Sequence, residues 1–191
     1  MRLLATTLAL LPFVPLAAAP IPKTEPVDWK AVIENRQYKP NRVGSKAEKS
    51  VAAAREAGLV AEFAMDADGC TGVFVFTRKD GPKLALSGHC YSSAVVRADM
   101  LYLADFERGG GGGRIVAYDL TTGKLVWQKT FEKMGVTCGD HIASMTIEQH
   151  PTAKAAHALV IAGESDARPF IEVLDLWTGR QLALKKFKDD E

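Results

Sequence analysis

The sequence predicts a mainly β protein: two to three four-stranded antiparallel blades of propeller type, a partial or compact β-propeller, preceded by one surface helix. Three observations predict it. From residue 59 onward the chain is a succession of strand-length apolar runs, at 59–65, 73–77, 83–87, 93–97, 100–105, 142–148, 158–163, 170–176 and 181–187, and no helical period interrupts them. Between them, 114–131 reads RIVAYDLTTGKLVWQKTF, a hairpin with turn chemistry at its centre. Finally, the chain repeats itself. AYDLTTGKLVWQKTF at 117–131 aligns with VLDLWTGRQLALKKF at 173–187, and Asp119, Leu120, Thr122, Gly123, Lys129 and Phe131 meet Asp175, Leu176, Thr178, Gly179, Lys185 and Phe187 at a constant offset of 56. Repeated units of about 40 to 55 residues made of short strands are the signature of propeller blades, each burying its faces against its neighbours.

With 191 residues, 47% hydrophobic and 25% charged, the chain has the composition of one globular domain with a real core. Twenty-four basic against twenty-three acidic side chains leave a net charge of +1 without a basic block, so neither nucleic acid nor an anionic membrane surface is favoured as a partner. The N-terminus has the layout of a secretory signal: Met1 and Arg2, an apolar run at 3–16 and then Ala17, Ala18 and Ala19. A signal peptide is expected at 1–19, although Pro20 would follow the natural cut. An exported protein, periplasmic or extracellular, follows from it. The apolar run is too short to span a bilayer, so no integral membrane segment is expected after cleavage.

Pro20, Pro22, Pro26 and Pro40 mark 20–44 as an extended arm. Within it Asp28 is placed to cap a short helical turn carrying Trp29, Val32 and Ile33, whose aromatic ring is expected to dock on the folded body. A helix over 45–58 follows, with Ser45 and Glu48 as capping box and Gly58 as C-terminal cap. Its apolar stripe, Ala47, Val51 and Ala54, is thin, so a surface position is expected, with Lys46, Glu48, Lys49, Arg55 and Glu56 solvated. The repeat domain occupies 59–187 and a charged tail 188–191. In the hairpin, Ile115 and Ala117 fall on one side and Val116, Tyr118 and Leu120 on the other, so both faces of this strand are apolar until Asp119. Such a strand suits a sheet covered on both sides. Asp119 can accept a hydrogen bond from an amide about two residues on, and Gly123 supplies positive φ at little cost. The second strand carries Leu125 and Trp127, read as sharing a face. A fainter third copy, VFVFTRKDGPKLAL at 73–86, puts Gly81 in the Gly123 place with Pro82 inserted.

The pattern A-x-D-x-x-T-G-x-x-x-W, here Ala117, Asp119, Thr122, Gly123 and Trp127, preceded by SSAVVRADMLYLAD at 92–105, resembles the blade repeat of the pyrroloquinoline-quinone-type propellers. The likeness is fullest over 92–131 and extends to Asp175, Thr178 and Gly179. It implies that the Asp, Thr and Gly residues shape the turn between third and fourth strands and that Trp127 packs between blades. Ala183 stands where a second tryptophan would, and Trp177 in the adjoining turn is expected to compensate. The family includes quinone-dependent dehydrogenases and non-enzymatic scaffolds such as outer-membrane assembly factors. The enzymes resemble closed rings of about eight blades, and a ring needs at least about four. The resemblance thus implies a non-catalytic module that binds a protein partner or self-associates to complete its blades. The alternative is a quinone- or metal-dependent oxidoreductase subunit completed by another chain.

No residues are assigned to catalysis, to a cofactor or to a metal. Cys70, Cys90 and Cys138 are three cysteines in an exported chain, and the arithmetic expects one bridge and one thiol, with Cys70 and Cys90 as the possible disulfide. Cys138 and His141, with Cys70, His89 or Cys90, could supply zinc ligands, but a second properly spaced pair is absent. His89 and Cys90 suggest a thiolate and base, but adjacent residues on a strand point to opposite faces, and a loop or core placement is expected for them. The run Gly109–Gly113 precedes a strand, not a helix, which makes it a hairpin tip and not a phosphate loop. Asp66, Asp68 and Gly69 read as a turn, and His150 and His157 flank a loop without a paired signal.

Overall fold

The computed structural model describes residues 27–38, 46–106, 113–130, 142–165 and 168–187. The expected signal peptide, Ser45 of the capping box, Gly109 to Gly112, Cys138, His141 and the tail lie outside the described residues.

Two helices and eleven strands are described: α1 (Trp29–Glu34), α2 (Lys46–Glu56), β1 (Val60–Met65), β2 (Thr71–Thr77), β3 (Lys83–His89), β4 (Ser93–Arg97), β5 (Met100–Phe106), β6 (Gly113–Asp119), β7 (Leu125–Thr130), β8 (Ile142–Gln149), β9 (His157–Ser165), β10 (Arg168–Asp175) and β11 (Gln181–Lys186). They form three antiparallel sheets, β1-β2-β3, β4-β5-β6-β7 and β8-β9-β10-β11, each a simple meander of sequence neighbours. The fold is mainly β, as the strand-length runs predict.

Alternation along the middle strands explains how the sheets stack. On β5, Leu101 and Leu103 face one way, into a cluster with Phe74, Phe76 and Leu84 of the first sheet and Val116 of β6. Met100, Tyr102 and Ala104 face the other way and meet Ile161, Leu174 and Leu176 of the third unit. Ile115, Val116 and Ala117 are all buried, so the middle sheet is covered on both faces, as the two-sided hairpin strand requires. The far face of the third sheet, with Val160, Ile171, Val173 and Ala183, is covered by Trp29 and Ile33 of α1. The order of layers is therefore first sheet, middle sheet, third sheet, α1.

Several details differ from the sequence reading. The first sheet has three strands, not four. Its strand β3 receives the β6–β7 turn of the middle sheet as β7 receives the β10–β11 turn of the third, so β3 is the outer strand and the missing member is the inner strand beside β1. Helix α2 fills that place. It packs against both β1 and β4; Arg55 Nε donates to the Ala61 carbonyl on β1 at 2.8 Å, and Ser50 Oγ accepts from the Ala94 amide on β4 at 2.8 Å. Both are edge strands, whose spare backbone groups need partners. Arg55 is thus bound to backbone, and Lys46, lowered in pKa by burial, donates to the Ile142 carbonyl at 3.2 Å. Neither side chain is simply solvated.

Gly81 does not take the role of Gly123 either. In that turn Asp80 has the positive φ, 61°, and Gly81 is absent from the positive-φ glycines Gly58, Gly69, Gly123 and Gly179. Leu125 is 46% exposed while Trp127 is buried, because the pairing of β6 with β7 runs Ala117 to Trp127 and then Tyr118 to Leu125, skipping Val126 in a β-bulge. The third sheet has the same irregularity, Val173 to Ala183 and then Leu174 to Gln181, skipping Leu182. The two bulges are 56 positions apart, so the repeat extends to an irregularity of the backbone.

Candidate functional site

The repeated turns come first because they set how one sheet meets the next. Asp119 Oδ1 accepts from the amides of Thr121 at 2.7 Å and Thr122 at 3.2 Å, and the Gly123 amide donates to the Asp119 carbonyl at 2.7 Å. Burial pushes the Asp119 carboxyl up, but the amide and hydroxyl hydrogen bonds from Thr121 and Thr122 outweigh it and hold it below its ordinary value. Asp175 repeats the arrangement: its Oδ1 accepts from the amides of Trp177 at 3.0 Å and Thr178 at 2.8 Å and from Thr178 Oγ1 at 2.8 Å, and the Gly179 amide donates to its carbonyl at 3.0 Å. Gly123 and Gly179 have φ of 70° and 67°.

Each turn docks on the outer strand of the preceding sheet. A Cβ on Gly179 would lie 2.6 Å from the Trp127 ring, and one on Gly123 would lie 3.1 Å from Pro82, beside Leu84 of β3. Trp127 Nε1 donates to the Leu176 carbonyl at 2.8 Å, and the Tyr102 hydroxyl donates to the same oxygen at 3.2 Å. Ala117 is buried beside Trp127 in the same cluster. Lys129 on β7 pairs with the buried Glu172 on β10; burial pushes the Glu172 carboxyl up and Lys129 pulls it back. Trp177 is 55% exposed, so it does not replace the missing aromatic. Trp29 does so from the other end of the chain, in the buried cluster that contains Ala183.

The seat of the N-terminal arm has polar chemistry. Asp28 accepts from the Ala31 amide at 3.2 Å and starts α1. Trp29 meets the buried His150 edge to face, with ring centroids 5.0 Å apart. Beyond the helix, Arg36 Nη1 donates to Glu148 Oε1 at 2.8 Å and its second nitrogen pairs with Oε2; the Tyr38 hydroxyl donates to Glu164 at 3.1 Å. A cleft of about 180 Å³ lies there, lined by Arg36, Tyr38, Thr146 and Glu148 among others. Ligand pockets usually hold about 300 Å³ or more. This one is small, and its charged groups already bind each other, so it reads as the seam of a docked arm.

A second cluster forms where β1–β2 and β3–β4 turns meet. Cys70 ends the first turn, His89 ends β3 and Cys90 opens the turn after it; the Cys90 amide donates to the Cys70 carbonyl at 2.7 Å, which places the two cysteines side by side. Cys90 Sγ lies 3.5 Å from His89 Nδ1. β3 ends at His89, and the turn that follows brings the His89 and Cys90 side chains together, which two neighbours on a strand could not do. Burial pushes the Cys90 thiol up, and its Cys70 neighbour adds to this. The Cys90 carbonyl accepts from the amides of Lys46 at 3.0 Å and Ala47 at 3.1 Å, so it caps the start of α2.

No protein-family model matches the sequence, and a search of curated proteins returns no match. Among solved structures, the crystal structure of BamB from Moraxella catarrhalis aligns with 18% sequence identity and a TM-score of 0.40, over 66% of this chain and 37% of that one. The chain thus matches well under half of that protein's length. Among the described residues, no helix is long and apolar enough to cross a membrane.

Proposed function

We propose that this chain is an exported, non-catalytic repeat module of the pyrroloquinoline-quinone-type propeller class whose task is to bind another protein. The observation that supports this reading is the unequal treatment of the two ends of the sheet stack. At one end α1 covers the third sheet. At the other, the outward face of the first sheet carries Val60, Ala64, Val73, Val75 and Ala85, of which Val60 is 72% exposed and Val75 half-buried. The register puts Ala64 beside Val73 and Val75 beside Ala85, so the apolar groups form one surface, with Glu62, Thr77, Lys83 and Ser87 among and around them. Inside the chain, faces of this kind are buried against the next sheet. The occupant that fits is a protein presenting a largely apolar sheet face of its own with a hydrogen-bond donor or cation for Glu62, which the register seats beside Val75.

A photo-crosslinking amino acid at position 75, introduced into the chain in its native cells, tests this. A single adduct of defined mass is expected, lost when Val73→Glu is added; an adduct of twice the chain's mass identifies a second copy and any other mass a different protein. No adduct at position 75 overturns the reading. Export has its own check: fractionation of those cells should find the chain outside the cytoplasm, cleaved near residue 19 or held by its uncleaved apolar segment, and a cytoplasmic chain would count against it.

A further inference from the structure

We propose that Cys70, His89 and Cys90 form a binding site for one thiophilic divalent metal ion, zinc in the first place, in the reduced chain. This goes beyond the protein-binding reading and does not depend on it. The three ligand atoms lie within 4.8 Å of one another. In a tetrahedral zinc site, with zinc–sulfur near 2.3 Å and zinc–nitrogen near 2.0–2.1 Å, the distance between a sulfur and a nitrogen ligand is about 3.5 Å. Cys90 Sγ and His89 Nδ1 are 3.5 Å apart, so they already stand at the two ends of such an edge.

The backbone around these ligands is held in place. Asp68 Oδ1 accepts from the amides of Cys70 at 2.9 Å and Thr71 at 2.8 Å, Ser92 Oγ accepts from the His89 amide at 2.9 Å, and the start of α2 holds the Cys90 carbonyl. Little ordering is left for the metal to impose. The Tyr91 amide is aimed at His89 Nδ1 at 3.3 Å, which selects the tautomer whose lone pair is on that nitrogen. At this length the hydrogen bond is weak and yields readily to a metal. Two thiolates and an imidazole suit zinc or another soft ion and discriminate against magnesium and calcium, which take oxygen ligands. Three protein ligands leave the fourth position to water or an incoming ligand.

The full chain carrying Cys138→Ser, which leaves Cys70 and Cys90 as its two cysteines, provides the test. It is reduced with a phosphine and titrated anaerobically with Co²⁺. One equivalent should bind with thiolate-to-cobalt charge-transfer bands and the visible bands of tetrahedral cobalt, and zinc should displace it. Adding Cys70→Ser should remove about half of the charge-transfer intensity, and His89→Ala should weaken binding by about 10-fold or more. Saturating zinc should also raise the unfolding midpoint of the two-cysteine chain and leave that of the Cys70→Ser, Cys90→Ser chain unmoved. A reduced two-cysteine chain that shows no charge-transfer band, or a band that survives loss of both cysteines, overturns the site.

Discussion

Trp127 is held by a hydrogen bond to one turn and by contact with the glycine of that same turn, so the fit between middle and third sheets rests on a few atoms around Leu176 and Gly179. Two glycine substitutions separate backbone strain from crowding. Gly58 has φ of 86° and open space around it, so Gly58→Ala should cost only the left-handed strain, about 1–2 kcal/mol. Gly179→Ala carries the same strain and drives a methyl group into the Trp127 ring, adding about 1–3 kcal/mol. Chemical denaturation of the two variants should show Gly179→Ala as the more destabilised; equal losses would mean that the ring moves aside freely. The cysteines supply a second prediction at this scale. We propose that Cys70 and Cys90 close a disulfide when the metal is absent and an oxidant is supplied. With oxidised glutathione, two thiols become one bridge and two molecules of reduced glutathione are released. Zinc should block this reaction, because bridge and metal need the same sulfurs. Peptide mapping after oxidation, with and without zinc, reads the outcome.

At the scale of elements, α1 and α2 do the work that strands would do in a regular stack. Helix α2 supplies partners to the edges of β1 and β4, while α1 and the segment after it are fixed by Trp29, Arg36 and Lys185, whose ammonium group donates to the carbonyls of Glu34 at 2.7 Å and Arg36 at 2.9 Å. The Arg36–Glu148 pair gives this docking a pH dependence. Hydrogen bonds from Arg36 hold the Glu148 carboxyl below its ordinary value of 4.5, so the folded chain binds that proton less tightly than the unfolded chain. The stability gained is fully present above about pH 4.5 and is lost as pH falls through the lowered folded value. Glu172 has the opposite sign: burial raises its carboxyl, so its contribution fades as pH rises through the raised value. Arg36→Ala should cost about 1 kcal/mol near neutral pH and reduce the Glu148 part of the acid slope, to which Thr146 still contributes, leaving the Glu172 part in place. Denaturation midpoints of the parent and variant across the acid range check both statements.

For the whole molecule, the layers decide which features the sequence displays. Strand existence and the covered middle sheet are legible, because alternation in β5 and β6 records burial on each face separately. The Asp, Thr and Gly turns are legible because their chemistry is local. The bulges at Val126 and Leu182 are not, since a bulge is a relation between two strands and leaves no mark in one. The position of α1 is hidden for a similar reason: its capping residue can be read, but its seat is built from residues more than a hundred positions away. The Cys70–His89–Cys90 cluster is legible only in part: the residue types name possible metal ligands and 89–90 fall outside the strand run at 83–87, but that the three meet depends on two turns lying side by side, which neither stretch records alone; Ser92, whose hydroxyl holds the His89 amide, marks the second turn. The layer order also makes Trp29 a stability residue, buried to 3% exposure at the end of the stack. Trp29→Ala should cost about 3–5 kcal/mol by denaturation and expose the third sheet to a hydrophobic dye. A loss below 1 kcal/mol would show that α1 merely rests on that face.

The seat of α1 also bears on time. Lys185 and Glu34, which touch, are 151 positions apart, so the first described helix finds its place only after the last strand has been made. A chain threaded from its N-terminus therefore has no seat for α1 while it is being made, and its closure is a long-range event of the kind that slows folding. Shortening the chain by β11 would take away Lys185 and Ala183 while leaving β9 and β10, so α1 would reach a seat that lacks its outer wall.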